Sequence, residues 1–320
     1  MLRHRADIKT LLWIGIAAAL VAVQYARPDL VVYLCWLSAY FALAIGTVAH
    51  NHNHSPTFKN KRANYAFANV ISIFYGYPVF VWVPTHNLNH HKFVNRAGDA
   101  TITWRITKKH NLWSAFSYFF LSAYYQSDPI KQYIAKAKTQ NPTLYRRIVT
   151  QWVIFLGTYA SMLTLGIALH GVKTGLYVWS LSMVMPAFFT VWTTIFFNYS
   201  QHVHTDPWSE HNHSRSFDGW LLNFLLFNNG YHAAHHEAAG LHWSKLPGLH
   251  ATIAPEIHPD LIQRSFWWYC FRQFVLAPFV PSLGTKQIGR APYDPPDGSE
   301  LSLGAGDVEA EEIGANAAIA

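Results

Sequence analysis

Charge is scarce in this chain. Lys, Arg, Asp and Glu make up 13% of its 320 residues, where a soluble domain carries roughly 25%, so the composition argues against two ordinary soluble domains. Cysteine is scarcer still. Cys35 and Cys270 stand far apart in apolar settings with no CxxC, which implies neither a disulfide framework nor a thiolate metal site. There is no HPGG-type haem-binding stretch, no glycine-rich dinucleotide fingerprint after a strand, and no cysteine set for an iron–sulfur cluster. Any redox chemistry would have to draw its electrons from a separate protein. Acidic residues are few before the last thirty positions. Residues 291–320 hold seven acids and no Lys or Arg, so the rest of the chain stands at +14 against +7 overall. A basic surface of this kind suits anionic lipid or a phosphate-bearing acyl carrier. Nucleic acid is disfavoured, because the aromatics lie in apolar runs and are not interleaved with basic residues. The acidic, Gly- and Ala-rich stretch 286–320 reads as a disordered tail.

What the chain does have is apolar length. It is 51% hydrophobic and 16% aromatic, and the stretches 10–26, 30–58, 148–172 and 174–201 contain no Lys, Arg, Asp or Glu. A bilayer core of about 30 Å needs roughly 20 helical residues, so each stretch can supply a span, at about 10–27, 30–50, 148–171 and 175–199. The first lacks a small-residue cleavage site and is followed by further spans, so it reads as an anchor and not as a removed signal peptide. Arg27-Pro28-Asp29 and the stretch 171–175 make tight turns, which force two antiparallel hairpins. Both termini, residues 51–147 and residues 200–285 then share one side. Lysine and arginine place that side in the cytoplasm: three precede the first span, 13 lie between 51 and 147, six follow the fourth span, and the hairpin turns carry one each. A fifth uncharged run, 63–85, is broken by Gly76-Tyr77-Pro78 and holds Asn64 and Asn69. It reads as a bent interfacial segment that does not cross. The expected fold is an all-α integral membrane protein, with four transmembrane helices and cytoplasmic or interfacial helices at its active face.

Nineteen histidines occur, and most are patterned. His50-Asn-His-Asn-His54 closes the second span, and His86-Asn-Leu-Asn-His90-His91 follows the bent segment. Asn198-Tyr-Ser-Gln-His202 closes the fourth span, and His232-Ala-Ala-His235-His236 comes thirty residues later. On a helix, positions i, i+3 and i+4 share a face, so His50 points with His54, and His232 with His235 and His236. His52 lies on the far side of its helix. The adjacent pairs His90-His91 and His235-His236 splay by about 100°, too far to share one metal easily but well suited to two metals side by side. Imidazole suits Zn, Cu, Fe and Ni, and this chemistry alone does not choose among them. Asp99, Asp206, Asp218 and Glu237 lie near these histidines, where a carboxylate can orient an imidazole by accepting its free N–H or can simply face solvent.

The HxxxH, HxxxHH and HxxHH boxes, with Asn-x3-His before the last, resemble those of the membrane fatty acid desaturases, over roughly residues 10–280. That resemblance implies a histidine-rich di-iron centre with O2 as co-substrate. One iron would be held by His50, His54, His86, His91 and His235. The other would be held by His90, His202, His232 and His236, with Asn198 reaching it through water. It further implies a fatty acyl lipid substrate, a double bond as product, and a separate electron donor such as a ferredoxin or a cytochrome with its reductase. Related membrane hydroxylases and ketolases share such boxes, so hydroxylation or terminal-alkene formation is the alternative outcome. A metal transporter is the rival from another class, but it would want ligands within its spans, whereas these boxes sit at or beyond span ends. Single cysteines introduced at Asn60 and Lys92 are expected to label from the same, cytoplasmic side. Labelling from opposite sides would mean that 63–85 crosses and that the boxes lie on different faces of the membrane.

Overall fold

The structure, a computed structural model, describes residues 1–307. It is helical over most of that length. The elements are α1 (Ile8–Ala26), α2 (Val31–His54), α3 (Lys61–Tyr75), α4 (Val79–Phe93), α5 (Leu112–Gln140), α6 (Pro142–Trp179), α7 (Met185–His202), α8 (Trp220–Leu225), α9 (His232–Glu237), α10 (Leu246–Ile253) and α11 (Phe266–Cys270). The all-α expectation needs one small amendment: Ser216–Phe217 (β1) and Ile262–Gln263 (β2) pair as a two-residue parallel ladder. The chain divides into two compact units. Unit one joins Met1–Val83 to Ile134–Thr194, and unit two joins Pro84–Tyr133 to the described residues from Ile195 onward.

Unit one carries the long apolar helices. Among the described residues, three helical stretches are long and apolar enough to cross a bilayer: Arg5–Ala26, Pro28–His54 and Pro142–His202. Large apolar side chains such as Trp36, Val153, Leu156 and Leu169 stand exposed on them, as lipid-facing positions would. α1 and α2 form an antiparallel hairpin around Pro28–Leu30. Trp13 Nε1 donates to Tyr40 Oη at 3.1 Å and Gln24 Nε2 to Ser38 Oγ at 2.8 Å, while Arg27 and Asp29 pair at the exposed turn. The third stretch has 61 residues, about three times what a bilayer core requires. It reverses at Gly171, whose φ of 75° breaks the helix. Trp179 Nε1 donates to the Tyr159 carbonyl at 3.0 Å, and a Cβ on Gly175 would strike the Gly166 and Ile167 backbone. The two arms therefore run side by side, as the Gly171 turn predicts.

The 63–85 segment is bent at Gly76-Tyr77-Pro78, as its sequence suggests. Asn60 caps α3 by accepting from the N–H groups of Arg62 (2.8 Å) and Ala63 (3.1 Å). Gly76, with φ 86°, ends it in a left-handed turn where a Cβ would run into Ala187. α3 and α4 then meet at 99°.

Unit two is built from most of α5, the last turns of α7, the short helices and long loops, and it buries many polar side chains beside a hydrophobic cluster. The end of α7 is held by Arg215, which is fully buried. Its Nη1 donates to the Ser200 carbonyl (3.0 Å), the Val203 carbonyl (2.8 Å) and Tyr269 Oη (2.8 Å). A guanidinium at this point answers both the orphan carbonyls and the negative end of the helix dipole. Composition pointed to disorder from residue 286, yet the stretch up to 306 is tied to unit two. The Ile288 N–H donates to the His204 carbonyl, Trp208 Nε1 to the Ala291 carbonyl, and the Gly306 N–H to the Gly98 carbonyl. Backbone pairing of this kind leaves no trace in composition. The rest of the expected tail, 308–320, lies outside the described residues.

Candidate metal centre

The site starts from helix geometry. α2 stays helical through His54, so His50 and His54 share a face, with ring centroids 4.9 Å apart. His52 points elsewhere. It is buried against Phe67, its Nδ1 pairs with Thr57 Oγ1 at 2.9 Å, and it accepts the Thr57 N–H. α9 likewise sets His232, His235 and His236 at i, i+3 and i+4. The turn that delivers α9 depends on Gly230, where a Cβ would meet the Phe217 carbonyl, and on Asn223. The Asn223 amide donates to the Phe217 carbonyl (2.8 Å) and accepts the Gly230 N–H (3.0 Å). The Ala233 N–H then donates to Ser216 Oγ at 3.2 Å, which satisfies one orphan donor of α9.

Box two is not the α-helix that its spacing suggests. Val83–His90 is π-helical, with hydrogen bonds running i to i+5. His91 therefore comes round to His86, and their Nε2 atoms lie 3.0 Å apart. His235 Nε2 lies 3.0 Å from His91 Nε2 and 3.4 Å from His86 Nε2. Four other imidazoles of unit two form a second group. His90 and His202 Nε2 are 3.1 Å apart, His202 and His232 3.0 Å, and His232 and His236 3.1 Å. His90, His202, His232 and His236 thus converge as a set fit to hold one ion. Adjacent histidines go to different groups, His90 apart from His91 and His235 apart from His236, as their predicted splay requires.

The tautomers of two members are fixed from outside. His90 Nδ1–H donates to Asp99 Oδ2 at 2.8 Å, and His202 Nδ1–H donates to the His213 carbonyl at 3.2 Å. Both Nε2 atoms therefore present lone pairs to each other at 3.1 Å, an arrangement that repels without a cation between them. Two imidazole nitrogens bound at about 2.1 Å and at right angles to one ion lie about 3.0 Å apart, which matches the spacing found. Burial and the neighbouring imidazoles of His91, His232, His90 and His202 hold His236 well below the ordinary histidine value, and burial does the same for His202. The donor set fits a transition-metal ion.

Asp99 is the best-satisfied carboxylate of the site. It is fully buried, and each oxygen takes two donors. Oδ2 accepts His90 Nδ1–H and the Asn95 N–H (2.7 Å), while Oδ1 accepts the Thr101 N–H (2.7 Å) and Thr101 Oγ1–H (2.6 Å). Burial alone would raise its pKa, but His90 and these donors outweigh burial and hold it at about 2. The other three carboxylates do not act this way. Asp206 accepts the Trp208 and Arg290 N–H groups, Glu237 faces His211 at 3.9 Å, and Asp218 bonds no imidazole. Asn198 Nδ2 donates to Tyr118 Oη at 3.0 Å. Asn95, Thr101 and Tyr118 carry no signature that sequence reasoning could have found. His213 could have been suspected only from its nearness to the boxes. Its ring lies 5.2 Å from that of His236, and burial followed by His211 and His90 lowers its pKa to about 4. His110 and His204 sit apart from both groups, the first bonded to Tyr199 Oη and the second to Thr285 Oγ1.

Apolar helices of spanning length suggest a membrane protein, and the two converging imidazole groups are compatible with a metal site. The family model described as fatty acid desaturase matches residues 28–268. The chain belongs to the fatty acid desaturase family. No curated protein and no solved structure matches it.

Two predictions follow from this geometry. Asp99→Asn puts an NH2 where one oxygen must accept two donors, so metal retention or activity should fall roughly 10- to 100-fold. Unchanged metal content and activity would rule out an orienting role. His52→Ala should keep its metal and most activity, whereas His54→Ala should lower metal content. The reverse pattern would place His52 at the ion and overturn the helical reading of box one.

Proposed function

We propose that the protein is an O2-dependent fatty acyl desaturase with two irons per chain. The observation that carries this reading is the convergence of two imidazole groups with Nε2 atoms about 3 Å apart, with the Nδ1 protons of His90 and His202 taken up by acceptors on the far side. His90, His202, His232 and His236 would hold one iron, with Asn198 reaching it through water. His86, His91 and His235 would hold the other, completed by His50 and His54. The bound irons would supply the oxidising power that removes two hydrogens from adjacent carbons, in the balance CH2–CH2 + O2 + 2 e⁻ + 2 H⁺ → CH=CH + 2 H2O. The chain's own residues prepare the site. Asp99 and the His213 carbonyl hold the Nδ1 protons of His90 and His202, and burial lowers the pKa of His202 and His236. Four spans, with the break at Gly171 separating the third from the fourth, would place both termini and the site on the cytoplasmic side. Electrons would come from a separate donor such as a ferredoxin or cytochrome with its reductase, docked on the basic face.

The test is expression in a host of defined lipid profile, with mass spectrometry of its fatty acids and neutral lipids. The expected product is lighter by two hydrogens and depends on O2 and on an added reductant system. A gain of one oxygen would support the hydroxylase alternative. Purified protein reconstituted with ferrous iron should hold two irons per chain. A stoichiometry of one, or turnover without O2, would end the desaturase reading.

A further inference from the structure

Tyr118 Oη–H donates to the Thr101 carbonyl. A carbonyl oxygen only accepts, so the single phenolic proton is committed to that bond. Tyr118 Oη has only lone pairs left for its other partner, Asn198, which must therefore present its NH2. The bond from Asn198 Nδ2 at 3.0 Å is the orientation this logic requires. The two ends of a side-chain amide look nearly alike in shape, and here the backbone of residue 101 decides between them through one hydroxyl. Thr101 is also the residue whose N–H and Oγ1–H hold Asp99 Oδ1, and Asp99 in turn holds His90. One loop residue thus orients an imidazole through its amide and hydroxyl, and an asparagine through its carbonyl.

We infer that Tyr118 is a positioning residue that fixes which end of the Asn198 amide faces the metal centre. With Nδ2 spent on Tyr118, Oδ1 is the end turned away from it. Water on a metal ion is a proton donor of lowered pKa. It is held by a carbonyl oxygen and repelled by an NH2 group. The inference rests on the proposed metal site for its consequence, but its geometry stands without the metal. Tyr118 is buried, 4% exposed, and its ring packs against Tyr199 at a centroid distance of 4.7 Å, so the hydroxyl is held where Asn198 needs it.

The test is a mutant cycle on the full chain with Tyr118→Phe, Asn198→Ala and the double variant, each reconstituted with ferrous iron-57. Tyr118→Phe and Asn198→Ala should each keep their iron, alter the same one of the two Mössbauer signals, and lower lipid product roughly 10-fold. The double variant should be no worse than Asn198→Ala alone. Effects that multiply to roughly 100-fold, or signals that differ between the two single variants, would mean that Tyr118 acts independently of Asn198 and would overturn the inference. A second arm needs no metal. Asn198→Asp replaces the donor by a carboxylate facing an oxygen that has no proton to give. It should lower the melting temperature of metal-free protein by several degrees when Tyr118 is present, and by much less in the Tyr118→Phe background. Equal losses in both backgrounds would overturn the inference. Wild-type protein that binds no iron would instead defeat the proposed function and leave this second arm readable.

Discussion

Lone pairs held against lone pairs are the constraint on which unit two depends. His90 and His202 bring bare Nε2 atoms to 3.1 Å, and the two imidazole groups together repeat that spacing five more times between 3.0 and 3.4 Å. A neutral imidazole has one N–H, and if it turned that proton inward it could pair with a neighbour and need no ion. The protein prevents this by giving the proton an acceptor on the far side. Asp99 does so for His90, and the His213 carbonyl does so for His202. For His202 and His236 burial also disfavours the other escape, which is to charge a ring and bind nothing.

Fixing those acceptors explains the loop from Val94 to Arg105. Asn95 has φ 62°, a left-handed conformation that asparagine tolerates better than most residues, and every polar group it owns is used. Its N–H donates to Asp99 Oδ2, its Nδ2 to the His202 carbonyl, and its Oδ1 accepts the Thr103 N–H. Its carbonyl accepts Trp104 Nε1. The same side chain therefore ties the loop after box two to the end of α7, where Arg215 caps the carbonyls of Ser200 and Val203. A buried arginine without a carboxylate partner is costly. Its place at a helix end explains the cost, because the aligned carbonyls there supply the negative potential.

This division accounts for what the sequence made legible. The hairpin turns at Pro28 and Gly171, the break at Gly76-Tyr77-Pro78, and the shared faces of His50/His54 and His232/His235/His236 all follow from period, turn chemistry and apolar length. Those signals are local, and unit one is organised by them. The π-helix of box two had no local signal: it pairs i with i+5, and only the family resemblance put His86 with His91 where α-helical spacing would favour His90. Pro84 at its start lacks an N–H, but proline more often marks an α-helical first turn. Asp99 was one of four equivalent candidates in the sequence. Only the loop that wraps its two oxygens separates it from Asp206, Asp218 and Glu237. The tie between the 286–306 stretch and unit two runs in large part through the stretch's backbone atoms, which every sequence has.

Metal binding at such a site would be coupled to folding by the same arithmetic. Each locked tautomer adds an inward lone pair, and each inward lone pair raises the energy of the folded chain when no cation is bound. The interaction that makes the site a good ligand set therefore makes it a poor empty cavity. Free energy gained on binding an ion is gained by the folded state alone, because no unfolded chain holds four nitrogens at this spacing. The dense hydrogen bonding around Asp99 and Asn95 offsets the repulsion in the meantime. Seven bonds made by the Asp99 carboxylate and by Asn95 act on twelve residues of loop, and the loop holds His90 in place. Preorganisation of this kind lets the site choose its ligand geometry in advance, at the expense of stability in the metal-free chain.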